Sequence, residues 1–152
     1  MARKSRRNNT TVAPAIGMSR VFNAAIYARL SVEDKGGSLE NQISLLQQYI
    51  SNQPDLQLRA VFKDSGQTGT NFARPGFAAM MDTAKKKEID CIVIKDLSRF
   101  GRNYIETGNY LENIFPFLGI RFISVNDNYD NQNPKISTDN LTVWLKNLIK
   151  AS

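Results

Sequence analysis

The chain alternates between short apolar segments and longer segments that carry apolar residues at helical spacing. The short segments are strand candidates, and "DCIVIK" is apolar throughout its middle, which is typical of a central strand in a parallel sheet. Strand candidates cover 22–30, 56–64, 90–95 and 120–126, and helix candidates cover 38–51, 74–88 and 103–117. This order predicts an α/β fold, an open and mostly parallel sheet with helices on both faces.

The charge is concentrated at the start of the chain. Residues 1–22 contain five basic residues and no acid, which leaves 15 basic and 14 acidic residues in the rest of a chain whose net charge is +6. We therefore expect a flexible basic tail over 1–22 and one folded domain over 23–136. The segment 137–152 predicts an amphipathic helix, with its apolar stripe formed by Leu141, Trp144, Leu145, Leu148 and Ile149.

Composition excludes several classes of site. There is no histidine, which removes the usual general base and every Ser-His-Asp or Cys-His arrangement. The single cysteine, Cys91, lies inside an apolar strand candidate, so a buried structural thiol in a reducing cytoplasm is the expectation. No apolar run approaches the ~18 residues of a membrane span.

The stretch "IYARLS" ends the first strand candidate with polar residues. Period-two alternation places Tyr27, Arg29 and Ser31 on one face of this strand, and Ala28 and Leu30 on the other. An arginine and a serine are thereby expected to share one side of the strand end.

Arginines also follow the next two strands. In open α/β sheets functional groups gather at the carboxyl ends of the strands. Arg74 belongs to the glycine-rich stretch "DSGQTGTNFARPGF", and Arg99 and Arg102 belong to "KDLSRFGRN". Planar guanidinium groups match phosphate oxygens, so the convergence with Arg29 predicts a phosphate-ester substrate and makes Ser31 the candidate nucleophile.

Two alternative sites, a nucleotide-binding loop and a magnesium site, are less well supported. "SGQTGTNF" has neither the G-x-G-x-x-G spacing nor a Lys-Ser ending, so the nucleotide-binding fingerprints fail. A magnesium site is the second alternative, but nearby arginines would already supply the positive charge that a metal brings. Its candidate ligands are Asp64, Asp96, Asp127 and Asp130.

The three motifs "YARLS", "DSGQTGTNFARPGF" and "DLSRFGRN" together resemble the catalytic domain of the serine recombinases, the resolvase and invertase superfamily. The likeness covers about residues 23–150 and is greatest to the large serine recombinases of transposon type. It implies a resolvase-like catalytic domain over 23–136. It also implies that the helix from 137 is the start of a longer helix, cut off before a DNA-binding region.

The resemblance implies an enzyme, a site-specific DNA recombinase that works without metal, ATP or other cofactor. Ser31 matches the nucleophile that forms a 5′-phosphoserine link, and Gln42 matches a glutamine that supports the site. The residues that match arginines around the scissile phosphate are Arg29, Arg74, Arg99 and Arg102. The implied partners are double-stranded DNA and further copies of the chain, from a dimer to a synaptic tetramer.

Two positions depart from the pattern of the family. Ser98 stands where an aspartate often precedes the first arginine of the third motif, and Asp64 comes one place early in the second. Asp64 and Asp96 are therefore both candidates for an acid role. The alternative function is a non-catalytic oligomerisation or DNA-associated module, which would have no need to hold four arginines together.

Overall fold

The computed structural model describes residues 20–31, 38–66, 74–100 and 104–132. Residues 1–19 of the expected tail and the whole of the expected C-terminal helix lie outside these residues. Strands are β1 Phe22–Ser31, β2 Leu56–Gly66, β3 Cys91–Ile94, β4 Arg121–Ser124 and β5 Tyr129–Asp130. Helices are α1 Leu39–Ser51, α2 Pro75–Lys85, α3 Leu97–Phe100, α4 Tyr104–Asn109 and α5 Phe115–Leu118, with a π-helical turn at Tyr110–Ile114.

The five strands form one sheet in the order β2-β1-β3-β4-β5. The pairings β1–β2, β1–β3 and β3–β4 are parallel, and the short β5 is antiparallel to β4. The predicted open, mostly parallel sheet is therefore confirmed. Because β1 lies between β2 and β3 and is parallel to both, its carboxyl end lies at the same edge of the sheet as theirs.

Helices cover both faces of the sheet, as predicted. One face of the sheet packs against α1, and the other packs against α2 and the helices after β3. The alternation along β1 assigns its residues to the two faces, since Ala24 and Ile26 face α1 while Ala25 and Tyr27 lie in the other core. This places the polar end of β1 beside α2 and α3.

The ends of two helices follow the local chemistry of the sequence. The Ser38 side chain accepts a hydrogen bond from the Asn41 N–H at 3.0 Å and caps α1. At the end of α5, Gly119 has a φ of 72°. Glycine carries no Cβ penalty in this left-handed conformation, so it terminates the helix.

The amino-terminal edge of the sheet is closed by ion pairs. Arg121 donates to Asp55 at 2.7 Å and to Asp130 at 2.8 Å, and its guanidinium lies 5.0 Å from the Phe22 ring centroid. Burial alone would lower the pKa of Arg121, but the hydrogen bonds to both aspartates raise it. The positive charge of Arg121 is therefore compensated by two carboxylates. This edge of the sheet is the one opposite to the carboxyl ends of the strands, where the arginine motifs lie.

Within the described ranges, no helix combines the length and the apolar character that are needed to cross a membrane.

Candidate active site

The Arg29 side chain is buried near the carboxyl end of β1, with 7% of the residue exposed. Its Nε donates to the carbonyl of Arg99 at 3.0 Å, and its Nη2 donates to the carbonyl of Ser98 at 2.8 Å. Two neighbouring acceptors fix the plane of a guanidinium group, which a single acceptor would leave free to rotate. Arg29 is therefore held in one orientation by α3, the short helix that follows β3.

Arg99 in turn donates a hydrogen bond to the backbone near the end of β1. Its Nη1 donates to the carbonyl of Arg29 at 3.4 Å, and its Nε lies 3.4 Å from a carboxylate oxygen of Asp96. The two arginines thus each bind the backbone of the other. Because they belong to β1 and to α3, this reciprocal pair ties the end of the central strand to α3.

Gln42, on α1, binds both peptide groups of Arg29. Its Oε1 accepts from the Arg29 N–H at 3.2 Å, and its Nε2 donates to the Arg29 carbonyl at 3.3 Å. The pairing of β1 with β3 ends at Ile26↔Val93, so Arg29 lies beyond the reach of that ladder. The buried carboxamide of Gln42 supplies the hydrogen bonds that a neighbouring strand would otherwise provide.

Arg74 reaches the same segment from the start of α2. Its Nη1 donates to the carbonyl of Phe100, and its guanidinium lies 4.3 Å from the centroid of the Phe77 ring. Its Nη2 is 3.9 Å from a carboxylate oxygen of Glu106, which is 45% exposed, so this ion pair is weak. The backbone carbonyl and the aromatic ring are the contacts that set the direction of this side chain.

Three successive carbonyls, those of residues 98–100, therefore accept hydrogen bonds from Arg29 and Arg74. The structure brings Arg29, Arg74, Arg99 and Gln42 together at the carboxyl end of β1. Ser31 is the last residue of that strand, two positions beyond Arg29, and pairs in register with Gly66. The predicted fourth arginine, Arg102, lies outside the described residues.

Asp64 holds the start of α2 against the sheet. Its carboxylate accepts hydrogen bonds from the Gly76 N–H at 2.7 Å, the Phe77 N–H at 2.9 Å and the Tyr27 hydroxyl at 2.8 Å. Burial and the bond to Asp64 raise the pKa of Tyr27, so its hydroxyl stays protonated and donates. The sequence left an acid role open for Asp64, whereas these contacts make it an anchor for the helix that begins beside Arg74.

Glycine is required where α2 approaches β2. A Cβ on Gly76 would lie 2.4 Å from the carbonyl oxygen of Lys63, which no real Cβ contact approaches. The close approach lets Asp64 reach the first N–H groups of the helix. Gly76 therefore helps to position Arg74, because it allows α2 to begin close to β2.

The remaining aspartates of the possible magnesium site point to different partners. Asp96 accepts from the Ser98 hydroxyl, Asp127 accepts from the Leu97 N–H at 2.7 Å, and Asp130 pairs with Arg121. Within the described part of the chain, no group of three or more Asp, Glu, Cys or His residues is arranged to hold a metal ion. Each of the four aspartates thus contacts a different partner.

Replacing Asp64 by asparagine should lower the free energy of unfolding by about 2–3 kcal/mol, because hydrogen bonds to a buried charged acceptor are lost and an amide NH₂ would face backbone N–H donors. Tyr27→Phe removes only one of these bonds and should cost about 1 kcal/mol. Urea unfolding curves of both variants test whether Asp64→Asn lowers the free energy of unfolding more than Tyr27→Phe does. Equal midpoints for the two variants would contradict the anchoring role of Asp64.

Comparison with known proteins gives a consistent result. The family described as resolvase, N-terminal domain, matches residues 24–144. The crystal structure of the N-terminal catalytic domain of TP901-1 integrase is similar with a TM-score of 0.68 and 26% identity, over 84% of this chain and 94% of that one. A resolvase family site-specific recombinase from Streptococcus pneumoniae has a TM-score of 0.65 and 25% identity, over 82% and 86% of the two chains.

A third similar structure is the C-terminal catalytic domain of ISC1926 TnpA, an IS607-like serine recombinase. It has a TM-score of 0.57 and 29% identity, over 68% of this chain and 69% of that one. Comparison with curated protein sequences gave no match. The family match extends over most of the chain, and the similar structures are recombinase catalytic domains. The chain therefore belongs to the resolvase family and has the fold of a serine recombinase catalytic domain.

Proposed function

We propose that this chain is the catalytic domain of a site-specific DNA recombinase in which Ser31 attacks a DNA phosphodiester. The observation that carries the proposal is that Arg29 and Arg74, from β1 and the start of α2, donate to carbonyls of α3, while Arg99 of α3 donates back to the Arg29 carbonyl. Helix α3 thus adjoins the end of β1, where Ser31 is the last residue. The sequence pattern also assigns Arg29 and Ser31 to one face of the strand.

The reaction exchanges one phosphate ester for another. The serine oxygen forms a bond to phosphorus and loses its proton, and the bond from phosphorus to the 3′ oxygen of the DNA breaks. The products are a 5′-phosphoserine link and a 3′-hydroxyl, which takes up a proton. Strand exchange followed by the reverse reaction would restore an intact backbone, and the ester stores the bond energy so that no ATP is needed.

The arginines would act on the charge of the phosphate. Negative charge builds up on the phosphoryl oxygens in the transition state, and preorganised cationic donors stabilise it. Backbone carbonyls orient Arg29 and Arg74 before any substrate arrives. We assign the same role to Arg99 and, from the sequence motif, to Arg102. Guanidinium charge would then serve where other phosphoryl-transfer enzymes use a metal ion.

Gln42 would act without touching the substrate. Its two hydrogen bonds hold the Arg29 backbone, and Arg29 precedes the proposed nucleophile by two residues along the same strand. We therefore assign Gln42 a positioning role. Its carboxamide neither loses nor gains a proton at neutral pH, so Gln42 is neither a general acid nor a general base in this scheme.

The partners in this proposal are double-stranded DNA and other copies of the chain, which would pass from a dimer to a synaptic tetramer. Residues 23–136 would form the catalytic domain, preceded by a basic tail over 1–22. The amphipathic helix expected over 137–152 would follow the catalytic domain. Tail contacts to phosphate would make DNA binding weaken steeply with added salt.

The proposed function predicts a covalent protein–DNA adduct that forms in EDTA. A nicked or mismatched recombination site should trap it, because the broken strand cannot be rejoined. The adduct should resist boiling in SDS, its DNA should have a blocked 5′ end, and its 3′ end should be open to a polymerase. A 3′-phosphate, or adduct formation that requires a divalent metal, would contradict the proposal. Absence of any adduct would favour the non-catalytic module.

A further inference from the structure

We propose that Asp127 is a positioning residue, whose carboxylate fixes α3 so that the carbonyls of residues 98–100 point at Arg29 and Arg74. This inference rests on the proposed function, because the orientation of these arginines has a consequence only if they act on a substrate. Asp127 belongs to none of the three sequence motifs. It lies in the turn between β4 and β5, 30 residues from the helix that it binds.

The carboxylate of Asp127 joins two elements. One oxygen accepts both the Leu97 N–H and the Ser124 hydroxyl, each at 2.7 Å. Ser124 is the last residue of β4 and is fully buried, so the carboxylate is fixed to the sheet. Leu97 is the first residue of α3, where a backbone N–H has no acceptor within its own helix. Asp127 therefore attaches the start of α3 to the end of β4.

The turn that carries Asp127 is itself attached to the sheet. The Val125 N–H donates to the Ile94 carbonyl at 3.0 Å, and the Asn126 N–H donates to the Lys95 carbonyl at 2.8 Å. These bonds continue the parallel β3–β4 pairing past its last pair, Ile94↔Ser124. The carboxylate is thus held on a rigid support.

Apolar packing alone would not set the direction of the carbonyls. Leu97 and Phe100 are buried at the two ends of α3, and they determine how deeply this helix sits. Hydrophobic contact is non-directional, whereas a hydrogen bond constrains an angle. A helix of one turn has few internal bonds to resist rotation about its axis, and such rotation would turn the carbonyls away from both arginines.

The local contacts of Asp96 cannot replace this attachment. Asp96 accepts from the Ser98 hydroxyl, and its own carbonyl accepts from the Arg99 N–H at 3.0 Å. These three residues lie within four positions of the sequence and would move together. A contact from outside this segment is needed to hold the start of α3 on the sheet, and Asp127 provides one by joining it to β4.

The test compares Asp127→Ala with Asp82→Ala, the same change at an exposed aspartate on α2. The first readout needs no DNA: hydrogen exchange of the Arg29 Nε–H, measured by NMR in the complete 152-residue chain. We expect this exchange to be at least about tenfold faster in Asp127→Ala and unchanged in Asp82→Ala. The second readout is the rate of adduct formation, which should fall about 10²-fold for a misplaced group.

Asp127→Asn separates the hydrogen bond from the charge. An asparagine oxygen can accept the same two donors, so this variant should keep slow Arg29 Nε–H exchange and most of the cleavage rate. If Asp127→Ala does not fold cooperatively, Asp127→Asn decides. Loss of rate in Asp127→Asn, or an Asp127→Ala protein with unaltered exchange and rate, overturns the proposal. If Ser31→Ala still forms the adduct, the proposed function fails instead, and the exchange measurement still tests Asp127.

Discussion

Ser31→Ala should reduce covalent DNA attachment to background while leaving the free energy of unfolding nearly unchanged. The sequence pattern places Tyr27 and Ser31 on the same face as Arg29, but the Tyr27 hydroxyl is buried and bound to Asp64, and no histidine is present to activate another nucleophile. Alanine can adopt the same extended backbone at the end of the strand. The measurement is the amount of SDS-resistant adduct on a trapped recombination site, with urea unfolding as the check on folding.

The matched control is Ser51→Ala. Ser51 is exposed at the end of α1, where its hydroxyl only donates to the Gln48 carbonyl at 2.9 Å. This variant should form adduct at the rate of the unaltered protein. Adduct formation by Ser31→Ala at a rate comparable to Ser51→Ala would show that another residue attacks the phosphate.

Arg29→Lys should lower the rate of adduct formation by about 10²–10³-fold, the loss expected when one preorganised donor is removed from a charged transition state. Lysine keeps the positive charge, but it cannot donate to the Ser98 and Arg99 carbonyls from one rigid plane as the guanidinium does. Arg99→Lys should show a loss of the same order, because the reciprocal contact to Arg29 is broken. Single-turnover cleavage rates at saturating protein measure both effects.

Arg59→Lys is the control for these substitutions, since Arg59 is exposed on β2. It should leave the single-turnover rate unaltered. A loss in Arg29→Lys that vanishes at saturating protein would mean that Arg29 contributes to DNA binding only. Full activity of Arg29→Lys would mean that charge is sufficient and that the planar fork has no role.

Much of the fold could be predicted because its signals are local. The apolar run of β3, the helical spacing in α1, the cap at Ser38 and the glycine at the end of α5 each leave a pattern within a few residues. The same periodicity cannot reveal α3, with four residues, or β5, with two. The π-helical turn also escapes prediction, because the spacing of its apolar residues differs little from that of an ordinary helix.

The arginine cluster could be predicted from one general rule. Parallel strands end at the same edge of a sheet, so residues that follow β1 and β3 must lie near each other. The structure places Arg29, Arg74 and Arg99 together as this rule requires. The sequence did not indicate that the carbonyls of residues 98–100 would orient two of these side chains, since a backbone acceptor leaves no signature in the residue type.

The supporting residues depended on tertiary contacts that no motif encodes. Asp64 looked like a possible acid or metal ligand, but it caps α2 and binds Tyr27. Asp127 looked like a possible metal ligand and binds the start of α3. Each contact joins residues that are at least 12 positions apart. From the sequence alone, an aspartate near a strand end fits either a functional site or a structural contact to a helix. The position of the next helix decides between these two roles.

The central claim is that Ser31 forms the bond to DNA, and peptide mapping of the trapped adduct tests it most directly. The adduct would be formed in EDTA on a nicked site, digested with nuclease and protease, and sequenced by tandem mass spectrometry. We predict a nucleotide mass on the peptide that contains "LSVEDK", attached at Ser31 through a 5′-phosphate. Attachment at any other residue, such as Ser65 or Ser98, would contradict the assignment.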